Sequence, residues 1–245
     1  MRASSVTARL LGAFVLWLGV APALLLGAGA GDINSARPDA AALHEMLEGR
    51  SGRREVWTST PELVILSSVM QYVEDGVSAG YVATGETLTS ADIAALTADL
   101  TRALDALTAG QIAAFSQVRT LAVAPGESAK IFQRGQIVVG RFLGLRAATG
   151  SLGWGGRMMR AGTISAAAVM LDRDFDADSR ESRLLRTHEL AHALGYNHVE
   201  SLKSVMNPRV GSDLTDFDRQ AARVAFPARE QARLEPASPL SIATR

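Results

Sequence analysis

The stretch from Thr187 to His198 reads THELAHALGYNH and holds three of the four histidines in a chain of 245 residues. His188 and His192 are four residues apart, so on a helix they lie on one face, where both imidazoles can reach one ion. Glu189 points about 100° round the helix axis from His188. It can therefore meet a water molecule beside the ion rather than bind the ion itself. This spacing predicts a metal-binding helix, a role for which neutral imidazoles are suited.

Gly195 is predicted to end this helix. A glycine in the left-handed conformation lets the chain turn sharply, which would bring His198 back towards the first two histidines. Three imidazoles and one water make a tetrahedral zinc site with an open position, the pattern of catalytic rather than structural zinc. Zinc would polarise a scissile carbonyl, and Glu189 would take the proton of the attacking water and pass a proton to the leaving amine.

The pattern H-E-x-x-H-x-x-G-x-x-H, followed by Ser204-Val205-Met206-Asn207-Pro208, resembles the signature of the metzincins, with their Met-turn. Resemblance to this family implies a zinc-dependent endopeptidase that acts on protein or peptide substrates. It implies that Met206 forms a hydrophobic floor beneath the zinc. It also implies that an edge strand pairs with the substrate, and the matching segment predicts these substrate-binding residues: Ile164, Ser165, Ala166 and Ala167.

Within the metzincins the chain looks most like the small bacterial and matrixin-like members, with three departures. There is no cysteine for a matrixin-type cysteine switch, and too few further histidines remain for the structural zinc of matrixins. Asn207-Pro208 stands where astacins and serralysins have a tyrosine. The family's latency mechanism is therefore not implied for this chain.

The hydrophobic pattern predicts an α+β (α/β-like) fold. With the resemblance, this becomes a zincin or metzincin fold: a twisted mixed sheet, a backing helix, an active-site helix and a small C-terminal subdomain after the Met-turn. Apolar runs bounded by Gly or Pro predict strands, and three- and four-residue spacing predicts helices. The predicted strands are 62–69, 115–125, 135–144 and 163–172. The predicted helices are 39–49, 89–110 with Ser90 as N-cap, 179–193, and 214–227 with Thr215 as N-cap. Residues 147–162, with five glycines, are predicted to form a flexible loop or a hairpin.

Four aspartates occupy alternate positions from Asp172 to Asp178. An EF-hand loop would need glycine and glutamate where Ala177 and Arg183 stand. We therefore expect a solvated turn whose last aspartates cap the next helix. An irregular Ca²⁺ site is the alternative.

The chain ends suggest an exported protein, secreted or periplasmic. Residues 1–30 have a basic start, an apolar run and an A-x-A-like site, which predicts a signal peptide. The apolar run at 10–26 is long enough to leave a membrane-anchored alternative open. We expect a linker or short propeptide at 31–56, with His44 on its surface. The catalytic domain should span 57–227 and a flexible tail 228–245.

Charge composition excludes some partners. The chain has 25 basic and 25 acidic residues, which argues against nucleic acid or an anionic membrane surface as the main partner. Two further functions fit the same pattern: an exported binding module on a metzincin scaffold with little proteolysis, and a zinc amidase acting on cell-wall peptides. Glu189 argues against the first of these, because a binding scaffold needs no base beside an open metal site.

Overall fold

Eight strands form one mixed, mostly parallel sheet in the computed structural model, which describes residues 40–49, 52–74, 79–209 and 212–227. The predicted signal peptide, the alternative anchor at 10–26 and the predicted tail lie outside the described residues. Within the described part of the chain, no helix is long and apolar enough to cross a membrane. The strands are β1 Val56–Trp57, β2 Glu62–Leu66, β3 Ser68–Glu74, β4 Ala79–Thr87, β5 Val118–Leu121, β6 Gln136–Leu143, β7 Gly153–Arg160 and β8 Thr163–Asp172.

The central strands of the sheet run parallel in the order β1-β8-β6-β2-β5. β3 pairs parallel with β6 and antiparallel with β4. Both faces of this sheet are covered, which explains why β2, β6 and β8 read as continuous apolar runs. In β2, for example, Leu63 and Ile65 pack in one hydrophobic cluster while Val64 and Leu66 pack in the other.

The helices are α1 Ala40–Glu48, α2 Ser90–Leu107, α3 Leu145–Thr149, α4 Arg180–Leu194 and α5 Asp216–Ala225. The apolar stripe predicted for α2 is buried against the core through Leu96, Leu100, Leu104 and Leu107. The prediction that Ser90 is the N-cap of α2 is wrong. Thr89 holds that position, because its hydroxyl and the Asp92 carboxylate form a reciprocal capping box.

The N-terminal part of the domain extends further than predicted. Where it is described, the stretch 31–56 is not a loose linker: α1 buries Ala42, Met46 and Leu47 in the main core cluster, and β1 pairs with β8. Three buried apolar side chains, of which Ala42 and Met46 are one turn apart, suffice to dock so short a helix. The sequence did not show this pattern clearly, because polar residues lie between them. His44 is exposed on α1, as predicted, and pairs with Glu48.

The glycine-rich stretch 147–162 forms a hairpin rather than a flexible loop. β7 pairs antiparallel with β8 along its length, from Gly153↔Leu171 to Arg160↔Thr163. β8 is therefore an interior strand, with β7 on one side and β1 and β6 on the other. The expectation that the strand at 163–172 is the edge strand is wrong. Its predicted substrate-binding residues Ile164, Ala166 and Ala167 are buried, and the Ser165 hydroxyl donates to the Met158 carbonyl.

Only two of the four alternate aspartates, Asp174 and Asp178, are exposed as a solvated turn requires. Asp172 and Asp176 are buried. The Asp172 carboxylate accepts backbone N–H groups, including that of Arg146, and Asp176 pairs with two arginines. The next helix is capped instead by Ser179, whose hydroxyl accepts from the Ser182 N–H. The oxygens do not converge on one point, and in the described part of the chain the histidine triad is the single group of three potential metal ligands. The Ca²⁺ alternative has no support here.

Candidate metal centre

Helix α4 and the turn after it bring the three predicted histidines together. α4 ends at Leu194, and Gly195 follows in the left-handed conformation, with φ of 110°, as predicted. A side chain at position 195 would also collide with the backbone, since a Cβ there would lie 2.3 Å from the Glu55 carbonyl oxygen. Glycine is thus required twice, by the turn and by the close approach of the chain before β1.

The ring nitrogens of the triad converge. The Nε2 atom of His198 lies 3.2 Å from Nε2 of His188 and 3.0 Å from Nε2 of His192. His188 and His192 are partly buried, whereas His198 is exposed. Three donor atoms from one helix and its following turn therefore face a common point that is open on one side.

The hydrogen bonds on the far side of two rings fix which nitrogens are free. Nδ1 of His188 lies 2.6 Å from the Val205 carbonyl oxygen, and Nδ1 of His192 lies 3.0 Å from the Tyr196 carbonyl oxygen. A carbonyl only accepts, so each Nδ1 carries the proton and each Nε2 presents a lone pair. Outer hydrogen bonds of this kind orient histidine ligands in metal sites. The donor set therefore fits a divalent transition metal.

The surroundings keep these imidazoles neutral. Burial lowers the pKa of His188 to about 4 and lowers that of His192 well below its ordinary value. Burial lowers the pKa of His198 as well. Since metal binding requires the unprotonated ring, the metal would have little competition from protons at neutral pH.

Glu189 is buried beside the triad, where burial raises the pKa of its carboxyl to about 8, and a hydrogen bond from the Gly155 N–H partly opposes this shift. A cation held by the neighbouring histidines would favour the ionised form, because an opposite charge nearby lowers the pKa of a carboxyl. A carboxyl poised near neutral pH is suited to proton transfer.

Two glycines of β7 allow this strand to lie directly against α4. A Cβ at position 153 would lie 2.6 Å from the Glu189 carboxylate oxygen Oε1, and one at position 155 would lie 2.3 Å from the Glu189 carbonyl oxygen. Any larger residue would push β7 away from the helix. The glycine-rich composition of this stretch is thus a packing requirement at the site.

The predicted Met-turn lies next to the triad. Met206 is fully buried in the core cluster, and its carbonyl accepts from the Val199 N–H, just after the third histidine. The Val205 carbonyl is the one that holds His188. The turn therefore makes hydrogen bonds to His188, the first histidine, and to Val199, the residue after the third.

Asp218 on α5 anchors the Met-turn. Its buried carboxylate accepts from the Ser204 hydroxyl, from the Val205 N–H at 3.1 Å, and from the N–H and hydroxyl of Thr215. Thr215 is the N-cap of α5, as predicted, and Asp218 completes its capping box. The T-x-x-D spacing could have identified the capping box from sequence. The hydrogen bonds of Asp218 to the Met-turn, whose Val205 lies thirteen residues upstream, could not have been predicted from this spacing.

Replacing Asp218 with alanine is expected to lower the free energy of unfolding by roughly 2–4 kcal/mol, because it removes a helix cap and leaves buried donors of the Met-turn unpaired. Urea denaturation measures this change. Asp216→Ala is the matched control in the same helical turn, because that side chain is exposed and its ion pair is with Arg219 on the helix surface. Equal losses in both variants would contradict the anchoring role.

Tyr196 is turned away from the triad. Its side chain is buried, and its hydroxyl donates to the Leu107 carbonyl at 2.6 Å. It therefore cannot stabilise an oxyanion at the metal. The contribution of Tyr196 to the site is its backbone carbonyl, which accepts a hydrogen bond from Nδ1 of His192.

A cleft of about 830 Å³ opens over the triad. β7 forms one wall of the cleft, α4 forms its floor, and the end of the Met-turn with the residues after it forms the other wall. Trp154, Leu185 and Pro208 are examples from these three parts. Glu189 and all three histidines line the cleft. Volumes of this size are typical of ligand-binding sites.

Comparison of the chain with protein-family models gives no match, and comparison with curated proteins gives none either.

Proposed function

We propose that the chain is an exported zinc-dependent endopeptidase of the metzincin type. The observation that carries the proposal is the convergence of three Nε2 atoms beside a buried glutamate at the floor of an open cleft. Imidazole ligands suit zinc, and three protein ligands with an open position are typical of catalytic zinc. His188, His192 and His198 would hold the metal.

The metal would supply a Lewis acid that polarises the scissile carbonyl and makes water more acidic. Glu189 would accept the water proton at its carboxylate and deliver a proton to the nitrogen of the leaving amine. The backbone carbonyls of Val205 and Tyr196 hold two imidazoles in the tautomer that this chemistry requires. The burial of Glu189 supports its role as a base, because burial raises the pKa of its carboxyl while the cation beside it would favour the ionised form.

The metzincin assignment also covers the fold. We propose that α2 is the backing helix, α4 the active-site helix, and the described residues beyond Met206 the small C-terminal subdomain. In place of β8, we propose β7 as the strand that pairs with an extended substrate. β7 borders the cleft, and among the described strands its one partner is β8. Backbone pairing along such an edge suits an extended peptide.

The test uses the full chain and three measurements. The purified protein should contain about one zinc per molecule. It should cleave an unfolded protein such as casein, and it should lose this activity with a chelator and regain it with added zinc. A broad peptide library then reports which bonds are cut.

Other outcomes would replace this proposal. Zinc-loaded protein that cleaves nothing in the library would favour the binding module. Activity confined to cell-wall peptides would favour the amidase. Protein that cleaves casein equally well without metal would contradict the zinc chemistry.

A further inference from the structure

Arg157 reaches from β7 to the end of the metal-binding helix. Its guanidinium is nearly buried, with 12% of the side chain exposed. Nη1 donates to the His192 carbonyl at 2.9 Å and to the Tyr196 carbonyl at 3.4 Å, and Nη2 donates to Oδ1 of Asn197 at 2.9 Å. The Glu55 carboxylate, also buried, pairs with Nε and Nη2.

These contacts surround the turn that separates the second and third histidines. His192 lies in the last turn of α4, and His198 directly follows Asn197. The Tyr196 carbonyl is shared, since it also accepts the Nδ1–H of His192. One planar group with several donors thus fixes both sides of the turn.

The position suits a cation. The last carbonyls of a helix have no partner within the helix, and they carry the negative end of its dipole. Arg157 adds a charged donor to one of them, the His192 carbonyl, which also accepts from the Gly195 N–H at 3.1 Å. A buried guanidinium needs a counter-charge, and Glu55 supplies it from the chain before β1. Asn197 is also held by α1, because its N–H donates to the Met46 carbonyl at 2.8 Å.

We propose that Arg157 is a positioning residue for the metal ligands: its guanidinium, neutralised by Glu55, holds His192 and the His198 turn in the arrangement that binds the metal. Residues that orient metal ligands from outside typically change metal affinity by 10- to 100-fold when replaced. The inference rests on the proposed function only in that the triad must bind a metal. It does not require that the protein cleave peptides.

The experiment measures zinc affinity in the full chain, by competition with a chromophoric chelator, for three variants. Arg157→Met alone would leave Glu55 buried without a partner, so the informative variant is the double replacement Glu55→Gln/Arg157→Met. We expect it to fold and to bind zinc about 10- to 100-fold more weakly. Glu55→Gln alone keeps the guanidinium contacts to the turn but removes its counter-charge, so it should lower stability while its zinc affinity falls less than that of the double variant.

The matched control is Glu62→Gln/Arg119→Met. This pair joins β2 to β5 at the other edge of the sheet and also includes a partly buried carboxylate. It should leave zinc affinity unchanged even if it lowers stability. A purely structural role for Arg157 would make the two double variants alike.

A second readout needs no metal. In the metal-free wild type, ring ¹⁵N chemical shifts should show His192 in the Nδ1–H form, because the Tyr196 carbonyl accepts that proton. In Glu55→Gln/Arg157→Met the turn is no longer held, so the Nε2–H form should become populated.

The outcomes separate the two proposals. Unchanged zinc affinity and unchanged His192 shifts in the double variant would overturn the role of Arg157. Wild-type protein that binds zinc but cleaves no peptide would overturn the proposed function alone. Wild-type protein that binds neither zinc nor cobalt would overturn both.

Discussion

Glu189→Gln is expected to lower kcat for peptide hydrolysis by about 10²- to 10⁴-fold, the usual contribution of a general acid–base group. The amide is almost the same size as the carboxyl, so the packing against Gly153 should survive. Glutamine cannot accept the water proton. Among the described residues, no carboxylate belongs to the group of potential metal ligands that the triad forms. Zinc content should therefore stay at the wild-type value while turnover is lost.

The control is Glu181→Gln, which makes the same chemical change on the same helix. Glu181 lines the same cleft but is exposed and lies two turns before Glu189. Its kcat should remain close to that of the wild type. Full activity in Glu189→Gln, or equal losses in both variants, would contradict the assignment of the base. Loss of zinc from Glu189→Gln would instead indicate that the carboxylate helps to hold the metal.

The sequence predicted the candidate site where the chemistry is local. The spacing of His188 and His192 predicted a helix, Gly195 predicted a turn, and His198 was predicted to come back towards the first two histidines. The structure has all three features. The residues from distant parts of the chain that contact the site could not be predicted from the sequence. Arg157 and Glu55 are 102 residues apart, and the carbonyls that orient the rings carry no side-chain signal at all.

The fold was predicted best where apolar runs are long. Strands at 136–143 and 163–172 agree with the predicted ranges, whereas the predicted strand at 115–125 is reduced to Val118–Leu121. Strand order could not be read from the runs. The resemblance implied an edge position for β8, which is wrong. The hairpin alternative for 147–162 is confirmed, but the place of β7 beside the site was not predictable, because it is set by contact with α4.

The alternate aspartates illustrate the same limit with charged residues. An acidic run next to a helix is usually solvated, and no pattern within it indicates burial. Asp176 is nevertheless fully buried, because Arg186 on α4 donates to its Oδ1 at 2.7 Å and Arg141 on β6 donates to its Oδ2 at 2.8 Å. Arg186 also pairs with Asp99 on α2. The network ties two helices and a strand together two residues before the first histidine of the triad.

Arg186→Met is accordingly expected to lower the free energy of unfolding by about 3 kcal/mol. Breaking a buried ion pair typically costs about 3–5 kcal/mol, because the remaining charge loses its partner in a medium of low polarity. The lower end applies because Asp176 keeps Arg141. The Ala177 carbonyl, which accepts from Arg186 Nη2 at 2.9 Å, loses a donor as well. Urea denaturation followed by circular dichroism measures the change.

Two further variants identify the cause of that loss. Arg186→Met/Asp176→Asn removes the buried carboxylate charge together with its partner, while Arg141 keeps Asp92 and Asp99 keeps Arg102. Because removal of both members of a buried pair is often close to neutral, the double variant should recover much of the lost stability. Arg183→Met, on the same helix but in an exposed pair with Asp178, should change stability little. If the double variant were less stable than Arg186→Met, the loss would come from packing of the arginine stem and not from the uncompensated charge.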